Sequence, residues 1–312
     1  MRAWITGLAG LTLSFATWAA EPVVIAHRGA SGYLPEHTLA AYAMAYAQGA
    51  DFVEPDLVLT RDGVLVARHE PRLDETTDVA ARFPDRRAAD GHFYAADLDW
   101  AEIAELRAVE YRDGRFPPEA RLFPVPRFTD VLALVAGLNH VTGCAVGLYP
   151  ELKETAWHRA RGLDPVAALR TVLARAPFAA ELRIQSFEAG PLRELAAAPI
   201  AGAKLVQLVG DPALVTEEGL DAVAGYADGI GPWLGQLARA REAGDDLVAR
   251  ARARGLFVDS WTLRADDPAP FEDFAAATAF ALDLGVDGLF TDHPDQLVAA
   301  LGRQREITPC DR

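Results

Sequence analysis

Apolar and polar positions along this chain follow two periods, and the switches between them mark the elements. Residues 23–26 form a short apolar run that stops on His27-Arg28-Gly29-Ala30-Ser31-Gly32, a strand ending on polar residues with glycines to turn on. Thr38 is placed to cap a helix through Gln48, with Leu39, Tyr42, Ala43 and Tyr46 as its apolar face and Gly49 to end it. A second apolar run opens at Phe52, turns at Arg61-Asp62-Gly63 and returns as a strand ending on His69. Strand, loop, helix and strand predict a βαβ unit, so the strands opening at Val23 and Phe52 should be parallel neighbours.

The periodicity fades over residues 71–128. Phe83-Pro84-Asp85, Asp90-Gly91 and Phe116-Pro117-Pro118 are loop signals, with one short helix over 100–107. This predicts an insertion folded over the strand ends. Alternation then resumes. Strands are expected over 145–152, 182–187, 204–209, 228–232, 256–263 and 286–291, and helices over 129–137, 165–174, 191–198, 216–226, 237–254, 271–284 and 294–303. With the first two, this makes eight parallel strands separated by helices, which favours an α/β fold of the closed (β/α)8 TIM-barrel type. Residues 21–312 read as one such domain.

Residues 1–20 read as a leader. Arg2 supplies a positive start, residues 5–16 are apolar, and Thr17-Trp18-Ala19-Ala20 offers small residues for cleavage near Ala19 or Ala20. The run is too short to span a bilayer, so a periplasmic or secreted protein is expected, with no stable membrane insertion. Export permits a disulfide between Cys144 and Cys310, the two cysteines of the sequence. Both lie at the expected bottom of the barrel. Two unbridged thiols are the expectation and a bridge the alternative.

A formal charge of −15 over 312 residues, with no basic tail or stripe, excludes nucleic acid as a partner. It also means that local positive groups must reverse the global field if the substrate is an anion. A barrel builds its site at the C-terminal ends of its strands. Those ends carry His27-Arg28, Glu54-Pro55-Asp56, Glu151-Leu152-Lys153, Gln185-Ser186-Phe187, Trp261 and Thr291-Asp292. Glu54 and Asp56 are two apart on one strand and share a face. Paired carboxylates there cost desolvation and repulsion unless a cation sits between them, and a hard cation is the natural answer. A wet acidic hairpin is the plain alternative.

These residues resemble the glycerophosphodiester phosphodiesterase family, in particular its exported bacterial branch. The matching segments are 26–38, 51–78, 82–94, 137–153, 226–232 and 288–295. The His-Arg-Gly block followed by Glu-x-Asp and His-Glu carries most of the specificity. Departures are small: Glu70 stands where the family often has Asp, and His37 where many members have Asn.

The resemblance implies that Glu54, Asp56 and Glu151 ligate one divalent cation. All-oxygen donors favour Ca²⁺ or Mg²⁺ over zinc, and the exported branch leans towards Ca²⁺. It implies His27 and His69 as the acid/base pair, with Arg28 and Lys153 holding phosphate oxygens. The expected reaction converts glycerophosphodiesters into sn-glycerol 3-phosphate and an alcohol through a cyclic phosphate. Glu36 is read either as orienting Arg28 or as a helix N-terminal charge. Gln185 and Trp261 are candidate pocket walls, core packing being the equal reading of Trp261. Phe187 and Phe290 are assigned to the core, and His92, His140, His158 and His293 to structural roles. A lysophospholipase D-like or phospholipase D-like enzyme on the same barrel, or a non-catalytic polyol-phosphate-binding protein, are the rival readings. The oligomeric state, monomer or homodimer, is left open.

Overall fold

Strand register is what assembles the functional end of this molecule, whose computed structural model describes residues 21–303. The predicted leader, residues 1–20, and Cys310 lie outside the described residues. The strands are β1 (Val23–His27), β2 (Phe52–Glu54), β3 (Asp56–Leu59), β4 (Leu65–Ala67), β5 (Gly147–Leu148), β6 (Glu151–Leu152), β7 (Leu182–Ser186), β8 (Ala203–Val209), β9 (Gly229–Pro232), β10 (Phe257–Leu263) and β11 (Gly288–Thr291). They form one sheet that closes on itself where β7 pairs with β8. All pairings are parallel except β3–β4, an antiparallel hairpin that matches Leu57 with Ala67 and Leu59 with Leu65. The expected closed barrel with helices between its strands is what forms.

Two expected strands are each split in two. The runs 52–59 and 145–152 break at Pro55 and around Tyr149-Pro150, because proline has no N–H to give to the ladder. The proline carbonyls still serve: Pro55 O accepts from Glu151 N at 2.9 Å and Pro150 O from Gln185 N at 3.0 Å. The helix expected over 237–254 is likewise two, Leu234–Glu242 and Leu247–Arg252. Gly244 at φ +77° ends the first, and Asp246 caps the second by accepting from Ala249 N at 2.9 Å. Helix Leu39–Ala47 follows the prediction, with the Thr38 hydroxyl accepting from Ala41 N at 3.1 Å. A short helix, Thr155–Arg159, was not foreseen.

The apolar faces of the helices bury against the outside of the barrel. Inside it, Ile25, Phe52, Tyr149, Val206 and Phe290 pack together. Each such side chain contributes about 1.5–3 kcal/mol by leaving water. The interior also holds an ion pair. Arg183 donates to Asp259 at 2.7 Å, Tyr149 donates to the same carboxylate oxygen at 2.9 Å, and the guanidinium lies 4.5 Å from the Phe52 ring centre. Burial pushes the Asp259 carboxyl up, and Arg183 and Tyr149 oppose this.

The insertion is more ordered than its weak pattern suggests. Leu73, Phe93, Leu98 and Ile103 form a small core of their own with Val58 and Val66 of the hairpin. The helix expected over 100–107 is only Trp100–Ile103, and a further short helix, Val79–Arg82, precedes it. Cys144 departs from expectation too: it is disulfide-bonded, not a reduced thiol.

Candidate active site

The register places His27 opposite Glu54, Asp56 opposite Glu151, and Glu151 opposite Gln185. One arc of the barrel mouth therefore carries an imidazole, three carboxylates and an amide in consecutive strand positions. Donor oxygens of Glu54, Asp56 and Glu151 lie within 4.8 Å of one another, and all three residues are buried. Three buried carboxylates at this spacing repel one another. Burial and its Asp56 and Glu151 neighbours push Glu54 far up. Burial also pushes Glu151 up, to about 8, against the pull of Lys153. Asp56 is the exception: Lys153 and a hydrogen bond from His37 outweigh its burial and hold it well below the usual carboxylate range.

A divalent cation fits this donor set. It would remove the repulsion, and its ligands would all be oxygens. The buried Gln185 Oε1 has no hydrogen-bond partner among the described residues, while its amide nitrogen donates to Glu54 at 3.3 Å. An orphaned carbonyl beside three carboxylates is a further oxygen on offer.

Arg28 sits over the triad. Its backbone N–H donates to Glu54 at 2.7 Å, its Nη1 to Glu36 at 2.6 Å, and its Nε lies 3.4 Å from Asp56. The residue is held at φ +60°, left-handed backbone that costs a non-glycine residue about 1–2 kcal/mol. Gly29 follows at φ +88° and approaches Ala41 so closely that a Cβ would lie 2.8 Å from its carbonyl carbon. The tight turn is what aims the guanidinium. Of the two readings of Glu36, the structure gives the first, since its carboxylate pairs with Arg28. Lys153 reaches Glu151 at 2.8 Å and lies 4.0 Å from Asp56.

His27 and His69 both line a cavity of about 210 Å³ above the triad. His27 Nδ1 donates to Asp292 Oδ1 at 2.6 Å, which leaves Nε2 as the acceptor, 3.2 Å from Arg28 Nε. Burial first, then Arg28, lower the His27 pKa to about 4, with Asp292 opposing. Burial and Arg28 lower His69 as well. His69 follows β4 rather than ending it, and its Nδ1 lies 3.7 Å from Glu70.

Trp261 lines the cavity, held by a 2.8 Å bond from its indole N–H to Gly231 O. Phe187, expected in the core, is instead 40% exposed and stands edge-on to Trp261 with ring centres 5.7 Å apart. Phe290 is buried as expected, yet also lines the cavity. His158 and His293 are buried packing residues, as expected.

Five residues around the site have no role legible in the sequence: Asp292, Arg264, Arg115, His37 and Arg68. Asp292 stands at a strand end, where its spacing names no partner. Its carboxylate also accepts from Arg264 at 2.9 Å and from Arg115 of the insertion at 2.7 Å. Burial pushes Asp292 up, but His27, Arg264 and Arg115 prevail and hold it well below the usual carboxylate range. His37 is fully buried, donates through Nε2 to Asp56 at 2.9 Å and accepts from the Tyr42 hydroxyl at 2.8 Å. Arg68 is fully buried and donates to the backbone carbonyls of Ala67, Thr76 and Glu36, tying the hairpin to the site loop. Only the glycines after His27-Arg28 hinted at such a lattice, since the turn they permit is strained at Arg28 and requires anchoring.

Comparison with known proteins agrees with this geometry. The model of the Glycerophosphoryl diester phosphodiesterase family matches residues 27–296. A glycerophosphodiester phosphodiesterase of Haemophilus influenzae is 34% identical over 321 residues, covering 88% of each chain. One from Treponema pallidum is 33% identical over 252 residues, covering 69% of this chain and 71% of its own. Among solved structures, a candidate glycerophosphoryl diester phosphodiesterase of Silicibacter pomeroyi superposes with a TM-score of 0.70 at 28% identity, covering 91% of this chain and 95% of its own. A phosphodiesterase of Oleispira antarctica, solved with its product sn-glycerol-3-phosphate, shares the fold with a TM-score of 0.67 at 23% identity, over 90% of this chain and 97% of its own.

Proposed function

The chain belongs to the glycerophosphoryl diester phosphodiesterase family, and from that premise we propose that it hydrolyses glycerophosphodiesters to sn-glycerol 3-phosphate and an alcohol by metal-assisted His/His acid–base catalysis. The observation that carries this reading is the convergence of two imidazoles and the Arg28 guanidinium on one cavity walled by three buried carboxylates, with the Lys153 ammonium 2.8 Å from one of them, Glu151. Binding a polyol phosphate would not call for two histidines there; proton transfer does.

Glu54, Asp56 and Glu151 would hold the cation, with Ca²⁺ preferred over Mg²⁺ because Ca²⁺ tolerates a flexible all-oxygen shell. When bound, that ion supplies Lewis acidity towards phosphate and hydroxyl oxygens. Arg28 and Lys153 bind the non-bridging phosphate oxygens and offset the charge that grows there. With the cation they reverse, locally, the field of a chain whose formal charge is −15. Trp261 and Phe187 give the glycerol carbons an apolar wall.

One histidine takes the proton of the glycerol hydroxyl next to the ester. That oxygen attacks phosphorus, the P–O bond to the alcohol breaks, and the other histidine protonates the departing oxygen. A cyclic glycerol phosphate remains. Water then opens the ring with the two histidines exchanging roles. The attacking group is already part of the substrate, so little entropy is lost in reaching the transition state.

The test is release of sn-glycerol 3-phosphate from glycerophosphocholine, abolished by EDTA and restored by Ca²⁺. His27→Ala and His69→Ala should each remove turnover while calorimetry still shows Ca²⁺ binding. Full activity in either variant would break the acid–base assignment. An exported location belongs to the same proposal, resting on residues 1–20; cell fractionation with and without them checks it.

A further inference from the structure

Next to the catalytic cavity lies a second one, of about 180 Å³, and the two share Arg28 and His69 as a wall. The reaction as proposed uses only the first. The second is closed by the segment after the hairpin and by the far end of the insertion, where Tyr111 and Arg112 line it.

Its chemistry is lopsided in two independent ways. The carboxylates of Glu36, Glu70, Asp74 and Glu75 outnumber the guanidinium groups of Arg28, Arg72 and Arg112 along its wall. Arg28 and Arg72 are already paired with Glu36 at 2.6 Å and Glu70 at 3.1 Å, Arg112 lies 5.4 Å from the Tyr111 ring centre, and His92 lies 3.5 Å from Asp74, so that Glu75 is the wall carboxylate with no ion pair among the described residues. The second imbalance concerns a single atom. Glu36 is 6% exposed and gives one oxygen to Arg28, while its other oxygen, Oε1, is buried without a hydrogen-bond partner. A buried carboxylate oxygen is seldom left so, because its lost hydration goes uncompensated.

We propose that this cavity is the subsite for the alcohol half of the substrate and that it takes a primary ammonium alcohol, an ethanolamine-type headgroup. The inference rests on the phosphodiesterase reading. A phosphodiester gripped by Arg28 beside His69 has two arms, and the Phe187–Trp261 wall suits the apolar carbons of one. The other arm leads across Arg28 and His69 into the acidic cavity. Excess negative charge calls for a cation, and an orphaned acceptor calls for an N–H or O–H. A quaternary ammonium has the charge without the donor, and a polyol has donors without the charge. A primary ammonium has both.

The test compares kcat/KM of the calcium-loaded full chain on glycerophosphoethanolamine, glycerophosphocholine and glycerophosphoglycerol, for wild type and Glu75→Gln. Wild type should prefer the ethanolamine ester. In the variant, the ratio of kcat/KM between the ethanolamine and glycerol esters should fall about threefold to fivefold, the scale of one solvent-exposed ion pair at its upper end. Equal kcat/KM on all three esters in wild type, or an unchanged ratio in Glu75→Gln, overturns the subsite while leaving the phosphodiesterase reading intact. No turnover of any of the three overturns that reading, and the subsite with it.

Discussion

His27 Nδ1 meets Asp292 Oδ1 at 2.6 Å across 265 residues of sequence. The carboxylate fixes the tautomer in which Nε2 is the acceptor, the atom that Arg28 Nε approaches at 3.2 Å. Asp292→Asn keeps the shape but can turn its N–H towards the imidazole and so reverse the tautomer. We expect kcat to fall by about 10²–10⁴-fold with little change in KM. Steady-state kinetics on glycerophosphocholine measure this; a variant keeping a third of the wild-type kcat would rule the positioning role out.

Arg115 extends that relationship into the insertion. Its side chain is 4% exposed and bridges Asp292, Asp266 and the Ser31 carbonyl. Arg115→Met should cost about 1.5–3 kcal/mol in urea unfolding, the value of a hydrogen bond to a buried charge. It should also lower kcat, because Asp292 loses one of its anchors. Arg115→Met with wild-type stability would mean that the insertion does not brace the site.

His27 also predicts a pH dependence of stability for the EDTA-treated protein. Its folded pKa, about 4, lies below the ordinary 6.5 because burial disfavours the charged ring. The depressed value means that its contribution is complete above pH 6.5 and is lost as pH falls towards 4. The loss is on the order of 3 kcal/mol. His27→Gln should unfold with a shallower acid slope across that window. Parallel slopes for the two proteins would contradict a neutral buried imidazole.

His37 would hold a proposed metal ligand, Asp56, rather than the ion itself. Since its Nε2 donates to Asp56 at 2.9 Å, His37→Ala should weaken Ca²⁺ binding by about 10–100-fold in calorimetry. Glu54→Gln and Glu151→Gln, which remove donor charge itself, should weaken it further. Ca²⁺ affinity unchanged in all three would place the ion elsewhere.

The residues proposed to bear chemistry were legible as a group because strand ends are legible. His27-Arg28, Glu54-Pro55-Asp56 and Glu151 each terminate an apolar run, and barrel topology sends such ends to one mouth. Those that hold them in place were not. His37, Arg68 and Arg115 sit in loops, and nothing in their local pattern distinguishes a buried anchor from a solvated side chain. Phe187 misled for the opposite reason: an aromatic residue after a strand reads as core, yet here it stands 40% exposed on the cavity wall.

By itself the sequence determined the alternation of strands and helices, the closed barrel and the carboxylates two apart on one face, since periodicity and spacing are local properties of a chain. Tertiary structure alone decided that Asp292 reaches His27, that Arg115 reaches Asp292, and that Glu36 keeps an oxygen unsatisfied beside a second cavity. Those facts depend on register and loop closure between residues far apart in the chain, where a shift of one position would send each side chain to the other face.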